Sequence, residues 1–186
     1  MKHRIFIAVN LPKDIKKGLE RIQEKNSALP AKWTRADNLH ITLSFLGEVA
    51  DEDILEVCSK VSKVASGNKS FSVKLSKIVY GPPKKMPPRM VWAKGEKNKE
   101  LGKIQKELEE SLSGLAQQEE NRDFSPHITL ARIKTWQWKE IDPEERPEVE
   151  EDVNLEFEVN SIEVMESYLK MGGPRYEILE SYQLKE

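Results

Sequence analysis

One cysteine and three histidines in 186 residues leave little material for a disulfide framework or a metal cage. Cys58 lies in the helical pattern Ile54-Leu55-Val57-Cys58-Val61-Val64, so it reads as a small core residue rather than a catalytic thiol. A basic excess is also missing. Thirty Lys and Arg stand against 32 Asp and Glu, a net charge of −2, and any nucleic-acid contact must therefore be local. No apolar run approaches the roughly 18 residues of a membrane span. The run Ile5–Val9 is too short for the apolar part of a signal peptide, and the expectation is a soluble, cytoplasmic protein with no membrane association.

What the chain does have is a repeat. His40-Ile-Thr42-Leu43 returns as His127-Ile-Thr129-Leu130, about half a chain later. Each copy alternates polar and apolar residues with β-branched members, so each is expected on a half-buried strand with His and Thr on one face. Residues two apart on a strand are roughly 6.6 Å apart at the backbone, which lets an imidazole and a hydroxyl grip different oxygens of one phosphate. A lone His-x-Thr is an ordinary structural pair. Two copies whose Ile and Leu already supply the packing face call for another explanation, and facing strands would set two imidazoles and two hydroxyls around one tetrahedral group. His3, at the start of the chain, is expected to do nothing.

The rest of the chain fits two similar lobes of one domain, 1–186. Arg4–Val9 reads as a central strand buried on both faces. A helix follows from Pro12 to about Asn26, then the lead-in Lys32-Trp33-Thr34 and the first repeat strand, Leu39–Leu46, closed by Gly47. Asp51 is expected to cap a second helix that ends at Ser66-Gly67-Asn68. Phe71–Tyr80 and Met90–Ala93 read as strands around a stiff, basic loop carrying Lys84, Lys85 and Arg89. Glu100–Gln117 has apolar residues at helical spacing, Ile133–Asp152 reads as an irregular surface connection, and Asn154–Glu166 as a strand. Ser167–Pro174 reads as a turn into a last strand, Tyr176–Tyr182. This order predicts an α+β fold of antiparallel sheets with helices on their outer faces.

These residues resemble the two-histidine phosphoesterases, and within them the RNA 2',3'-cyclic phosphodiesterases, also described as 2'-5' RNA ligases. The resemblance covers nearly the whole chain: Arg4–Ala8, Asn38–Gly47, Arg89–Trp92, Phe124–Arg132 and Ser167–Tyr176. Both motifs are complete, and Ser125-Pro126 with the terminal Arg132 make the second specific to this branch. Ser44 stands where relatives often carry a basic residue.

The resemblance implies a bilobal, pseudo-symmetric fold whose two antiparallel sheets line a central cleft, with no metal and no cofactor. It also implies hydrolysis of RNA 2',3'-cyclic phosphate ends to a 2'-phosphate. The residues themselves agree with metal-free chemistry, since Asp37 and Asp123 are the only carboxylates near the motifs. Two imidazoles suffice for acid–base hydrolysis of a strained diester, one neutral and one protonated near neutral pH. Because the family breaks the bond to the 3' oxygen, His40 is expected to protonate that oxygen and His127 to deprotonate water. Thr42 and Thr129 would hold the nonbridging oxygens. Arg132, just beyond Thr129, is expected by alternation to share its strand face and to pair with phosphate or with the second lobe's core, the site role being favoured. Phe6, Trp33 and Trp92 are candidates to stack a base, while Lys84, Lys85 and Arg89 are candidates for RNA phosphates further along.

Three other readings remain open from the sequence: 2'-5' RNA ligation at the same site, a small-molecule cyclic phosphodiesterase, and an RNA-binding module without turnover. The expected partners are RNA with a 2',3'-cyclic phosphate end, tRNA fragments included, or cyclic nucleotides. A monomer is expected.

Overall fold

Strand β1 (Lys2–Asn10) carries five consecutive core residues, Ile5 to Val9, each at most 3% exposed. Such a run needs cover on both faces and partners on both edges, and in the computed structural model β1 lies between β3 (His40–Ala50) and β8 (Ser161–Lys170). The structure describes residues 1–115, 124–171 and 173–186. The hairpin β8–β9 (Gly173–Gln183) completes one antiparallel half in the order β3-β1-β8-β9. The other half runs β6 (His127–Ile133), β5 (Met90–Gly95), β4 (Phe71–Gly81), β7 (Glu150–Val159). Short β2 (Ala31–Trp33) pairs with β6.

The motif strands β3 and β6 are the innermost of the two halves. They meet at one register pair, Ile41 opposite Ile128, which joins the halves into a single sheet. The helices lock them further. Helix α1 (Lys13–Lys25) follows β1 of one half yet packs against β7 of the other, burying Ile15 and Leu19. Helix α3 (Lys99–Ser111) follows β5 but packs against β3 and α2 (Asp51–Gly67), burying Leu101, Ile104 and Leu108. Each half is thus covered in part by a helix from the other's connections, and one apolar core runs through both.

Several sequence expectations change. The carboxylate of Asp51 does not cap α2; it accepts from the Met1 amino group at 2.8 Å and from His3 Nε2 at 2.5 Å. His3, expected to do nothing, is held in β1 between Asp51 and the buried Glu166, whose Oε1 lies 2.7 Å from its Nδ1. These two carboxylate bonds raise its pKa. Strand β3 does not stop at Gly47 but passes through it at φ 75°, where the register shifts. Strand β8 continues to Lys170 through residues read as a turn, because they pair antiparallel with β9 as far as Lys170 opposite Gly173.

The stretch read as an irregular surface connection contains α4 (Thr135–Glu140). Its Trp138 is buried at 2% exposure, edge-on to Tyr80 at 5.3 Å. A six-residue helix is too short to show an apolar period. Helix α3 ends at Ser111 with a turn after it; the expected end at Gln117, like Asp123 and Gly172, lies outside the described residues.

Candidate active site

Strict alternation along β6 would place Thr129 and Arg132, three residues apart, on opposite faces. The strand is bulged instead. Val91 faces Ala131 and Trp92 faces Thr129, leaving Leu130 without an opposite number and returning Arg132 to the face of His127 and Thr129. A bulge takes backbone groups out of the ladder, and here the Leu130 carbonyl is recaptured by Thr34 N–H at 2.8 Å and Gln23 Nε2 at 3.0 Å. Strand β3 does the same with Leu43, since Ile7 faces Ser44 and Ala8 faces Thr42. Phe45 therefore takes, relative to His40, the place that Arg132 takes relative to His127.

The two faces line one cleft of about 510 Å³. His40, Thr42, His127, Thr129, Arg132, Phe6 and Trp33 all border it, so seven of the eleven residues nominated from the sequence come together. Arg89 does not. Strands β5 and β6 run antiparallel with Lys94 opposite His127 and Met90 opposite Arg132, so Arg89 falls at the end away from the histidine. Lys84 and Lys85 sit exposed in the same hairpin and do not border the cleft either. Trp92 stands behind His127, stacked on its ring at 3.9 Å, rather than offering a face to a base. Gly81 makes room for that indole: a Cβ there would lie 2.2 Å from it.

Both imidazoles are oriented alike. His40 Nδ1 lies 2.7 Å from the Asn38 carbonyl, and His127 Nδ1 lies 2.8 Å from the Ser125 carbonyl. A carbonyl can only accept, so each Nδ1 carries the hydrogen and each Nε2 is left for chemistry. His40 Nε2 accepts from Thr42 Oγ1 at 2.9 Å. Burial lowers both pKa values. His40 falls to about 4, burial being the main cause, with the Lys16 charge and His127 adding to it against the Asn38 carbonyl. For His127 burial outweighs the Ser125 carbonyl and the shift is smaller. Near neutral pH both rings are therefore neutral in the free protein.

The sequence reading passed over Arg4, Lys32, Arg35 and Tyr176, all of which border the cleft. Arg4 lies 6.0 Å above the Phe45 ring, and a signal existed, for Arg4 sits two residues from Phe6 on the same strand face. Tyr176 meets the rings of His40 and Phe6 edge-on at 5.3 and 5.0 Å, and burial raises the pKa of its phenol against the charges of Arg132 and Arg4. No local pattern marks it, since only the β8–β9 pairing brings it to the site. Asn38 links these parts: its carbonyl orients His40, and its buried side chain donates to the Pro174 carbonyl at 2.7 Å, two residues before Tyr176. Among the described residues, no three His, Cys, Asp or Glu side chains are grouped to hold a metal ion.

Comparison with known proteins agrees with this geometry. Residues 9–92 and 94–176 match the model of the LigT-like phosphoesterases. The chain is 33% identical to the RNA 2',3'-cyclic phosphodiesterase of Methanocaldococcus jannaschii, over 96% of this chain and 99% of that one. It is 32% identical to the Thermotoga maritima protein of the same name, over 98% and 96%. A crystal structure from Thermus thermophilus superposes with a TM-score of 0.84 at 29% identity, covering 98% of both chains. Escherichia coli LigT shares the fold, with a TM-score of 0.81 at 24% identity over the whole of both chains. A family model that matches both halves, with relatives 33% and 32% identical over nearly the whole chain, places this chain in the LigT-like phosphoesterase family.

Proposed function

We propose that this chain is an RNA 2',3'-cyclic phosphodiesterase, opening cyclic phosphate ends to a 2'-phosphate without a metal. The observation that carries the reading is the twofold arrangement of His40 and Thr42 against His127 and Thr129 in one cleft, each Nε2 freed by an Nδ1 bond to a carbonyl. The names of the near full-length relatives support the substrate. Water attacks phosphorus as His127 Nε2 takes its proton; the bond from phosphorus to the 3' oxygen breaks, and His40 Nε2 supplies the proton that this oxygen needs. Thr42, Thr129 and Arg132 hold the charge on the nonbridging oxygens. The bound phosphate, an anion, raises both imidazole pKa values and allows one ring to be protonated.

One observation favours the opposite assignment. His40 is the more strongly depressed of the two in the free protein, which suits a neutral base and leaves His127 as the acid. Leaving-group dependence separates the two. A substrate whose 3' leaving group needs no protonation rescues the alanine variant of whichever histidine is the acid.

RNA ends, tRNA fragments included, and cyclic nucleotides are the proposed substrates, with residues 1–186 acting in the cytoplasm as a monomeric single domain. No described helix is long and apolar enough to cross a membrane. The same site could run in reverse as 2'-5' ligation. The test is an oligonucleotide ending in 2',3'-cyclic phosphate, incubated with EDTA: a 2'-phosphate end is expected. Inactivity restored by a divalent ion, or a 3'-phosphate product, would overturn the reading.

A further inference from the structure

Lys32 on β2 and Arg132 on β6 are directly opposite each other in the register of the two strands. Like charges so placed repel, a cost that folded proteins ordinarily offset with a nearby carboxylate. None is present here. Among the described residues neither Lys32 nor Arg132 makes an ion pair, and no Asp or Glu borders the cleft. A third cation bordering the cleft, Arg35, has only a loose pair with Asp37 at 3.9 Å, both side chains being well exposed. The result is a group of three cations, Arg132, Lys32 and Arg35, on the β2 side of the cleft. The far wall is the β8–β9 hairpin, with Leu169, Gly173 and Pro174 bordering the same cleft. Lys32 reaches that wall: its Nζ lies 2.9 Å from where a Cβ on Gly173 would sit.

We infer that the mouth between β2 and the β8–β9 hairpin is the track of the RNA strand leading up to the cyclic end, with Lys32 and Arg35 binding its next phosphodiesters. The inference rests on the phosphodiesterase reading for the end that occupies the two histidines. Its own ground is this group of cations, compensated only by the loose Arg35–Asp37 pair, which a polyanion neutralises and a mononucleotide would cover only in part. It also moves the strand away from Lys84, Lys85 and Arg89, whose hairpin does not border the cleft. Selectivity for an oligonucleotide over a mononucleotide is therefore set at Lys32 and Arg35, and Arg132, on the face of the catalytic residues, serves both.

The test is binding, so that it stands apart from turnover. A short oligoribonucleotide ending in 2'-phosphate and a 2'-mononucleotide are titrated over a range of salt with wild type, Lys32→Ala, Arg35→Ala and the triple variant Lys84→Ala, Lys85→Ala, Arg89→Ala. Each of the two single variants is expected to weaken the oligonucleotide on the order of tenfold and to flatten its salt dependence by about 0.7 log unit per log unit of salt. The preference over the mononucleotide should shrink accordingly. The triple variant should keep the wild-type slope. Equal weakening of both ligands by Lys32→Ala and Arg35→Ala, no effect on either, or a selective loss in the triple variant would overturn the inference. Failure to hydrolyse any cyclic phosphate would instead overturn the phosphodiesterase reading and leave these binding slopes to be read by themselves.

Discussion

The two halves carry the same four-residue motif and the same bulge, yet they surround it differently. In the half built on β6, the position past the bulge is Arg132 and the imidazole lies flat on Trp92, stacked at 25°. In the half built on β3, that position is Phe45, the cation is borrowed from Arg4 on the neighbouring strand, and His40 is boxed by Phe6 and Tyr176. The repeat thus fixes where the reactive nitrogens point, while neighbours that are not repeated set how each ring titrates. His40, enclosed on more sides, is pushed to about 4, and His127 less far.

The strongest way to break the comparison is to remove one ring at a time. His40→Ala and His127→Ala should each lower the rate on the order of 10²–10⁴-fold, and the double variant should lose less than the product, because the pair works as a unit. Single-turnover rates on a cyclic phosphate end check this, and full additivity would show two independent groups.

Titration of the folded state sharpens it next. A histidine whose folded pKa lies below its ordinary 6.5 contributes nothing to stability above that value, and below it the unfolded chain takes up a proton that the folded chain refuses. For His40 the loss should run from pH 6.5 down to about 4 and amount to at most about 3 kcal/mol. His3 has the opposite sign, since its raised pKa adds stability that is present below pH 6.5 and lost as pH rises through the folded value. Denaturant midpoints of His40→Gln and His3→Gln across pH 4–8 should therefore deviate from wild type in opposite directions. Imidazole proton shifts should place the free-protein pKa of His40 below that of His127, and inorganic phosphate should raise both.

Gly81→Ala probes the stacked side alone. The new methyl meets the Trp92 indole, and the rearrangement should cost about 1–3 kcal/mol of stability and misplace His127 rather than His40. Replacing Trp92 by Leu in the same chain should return part of the stability. If Gly81→Ala instead perturbs the His40 resonance, the two rings are not separately supported.

The smallest effect is expected at Gln23, whose amide donates to the Thr34 and Leu130 carbonyls at 2.9 and 3.0 Å. Gln23→Ala should cost about 1–2 kcal/mol and weaken phosphate binding through Arg132, with the β3 bulge untouched. Unaltered phosphate affinity at the expected loss of stability would show that Thr34 alone holds the bulge.

Much of this was readable from residue order. Alternation marks the motif strands, the five-residue apolar run marks β1 as central, and 3.6-residue spacing marks α1 and α3, because each of those signals is local. Arg132 was expected on the face of Thr129 by alternation, which its three-residue spacing does not satisfy; only the bulge at Leu130, held by a helix more than 100 residues earlier in the chain, brings it there. Arg89 was nominated with Lys84 and Lys85 as a basic loop residue for RNA phosphates, and antiparallel register carries it to the end of β5 away from His127. Lys32 and Tyr176 were missed for the same reason, since cross-strand neighbours set their positions, whereas Arg4 was legible from its alternation with Phe6. His3 was set aside because the buried Glu166 that gives it a role lies 163 residues away.

The strand order has a consequence for synthesis on the ribosome. Strand β1 is made well before β8, which fills one of its edges and whose own partner β9 ends at Gln183. Until those strands emerge, Ile5 to Val9 present a bare apolar ribbon with an open edge, the kind of segment that invites aggregation or chaperone capture. The half built on β6 has all its strands once β7 is out, so it can close first and serve as a template. Nascent chains stalled with Val159 clear of the exit tunnel should therefore show β4 to β7 resisting protease while β1 is still cut, and protection of β1 should appear only once Gln183 clears the tunnel. Equal protection of β1 in the shorter chain would show that β3 alone suffices to hold it.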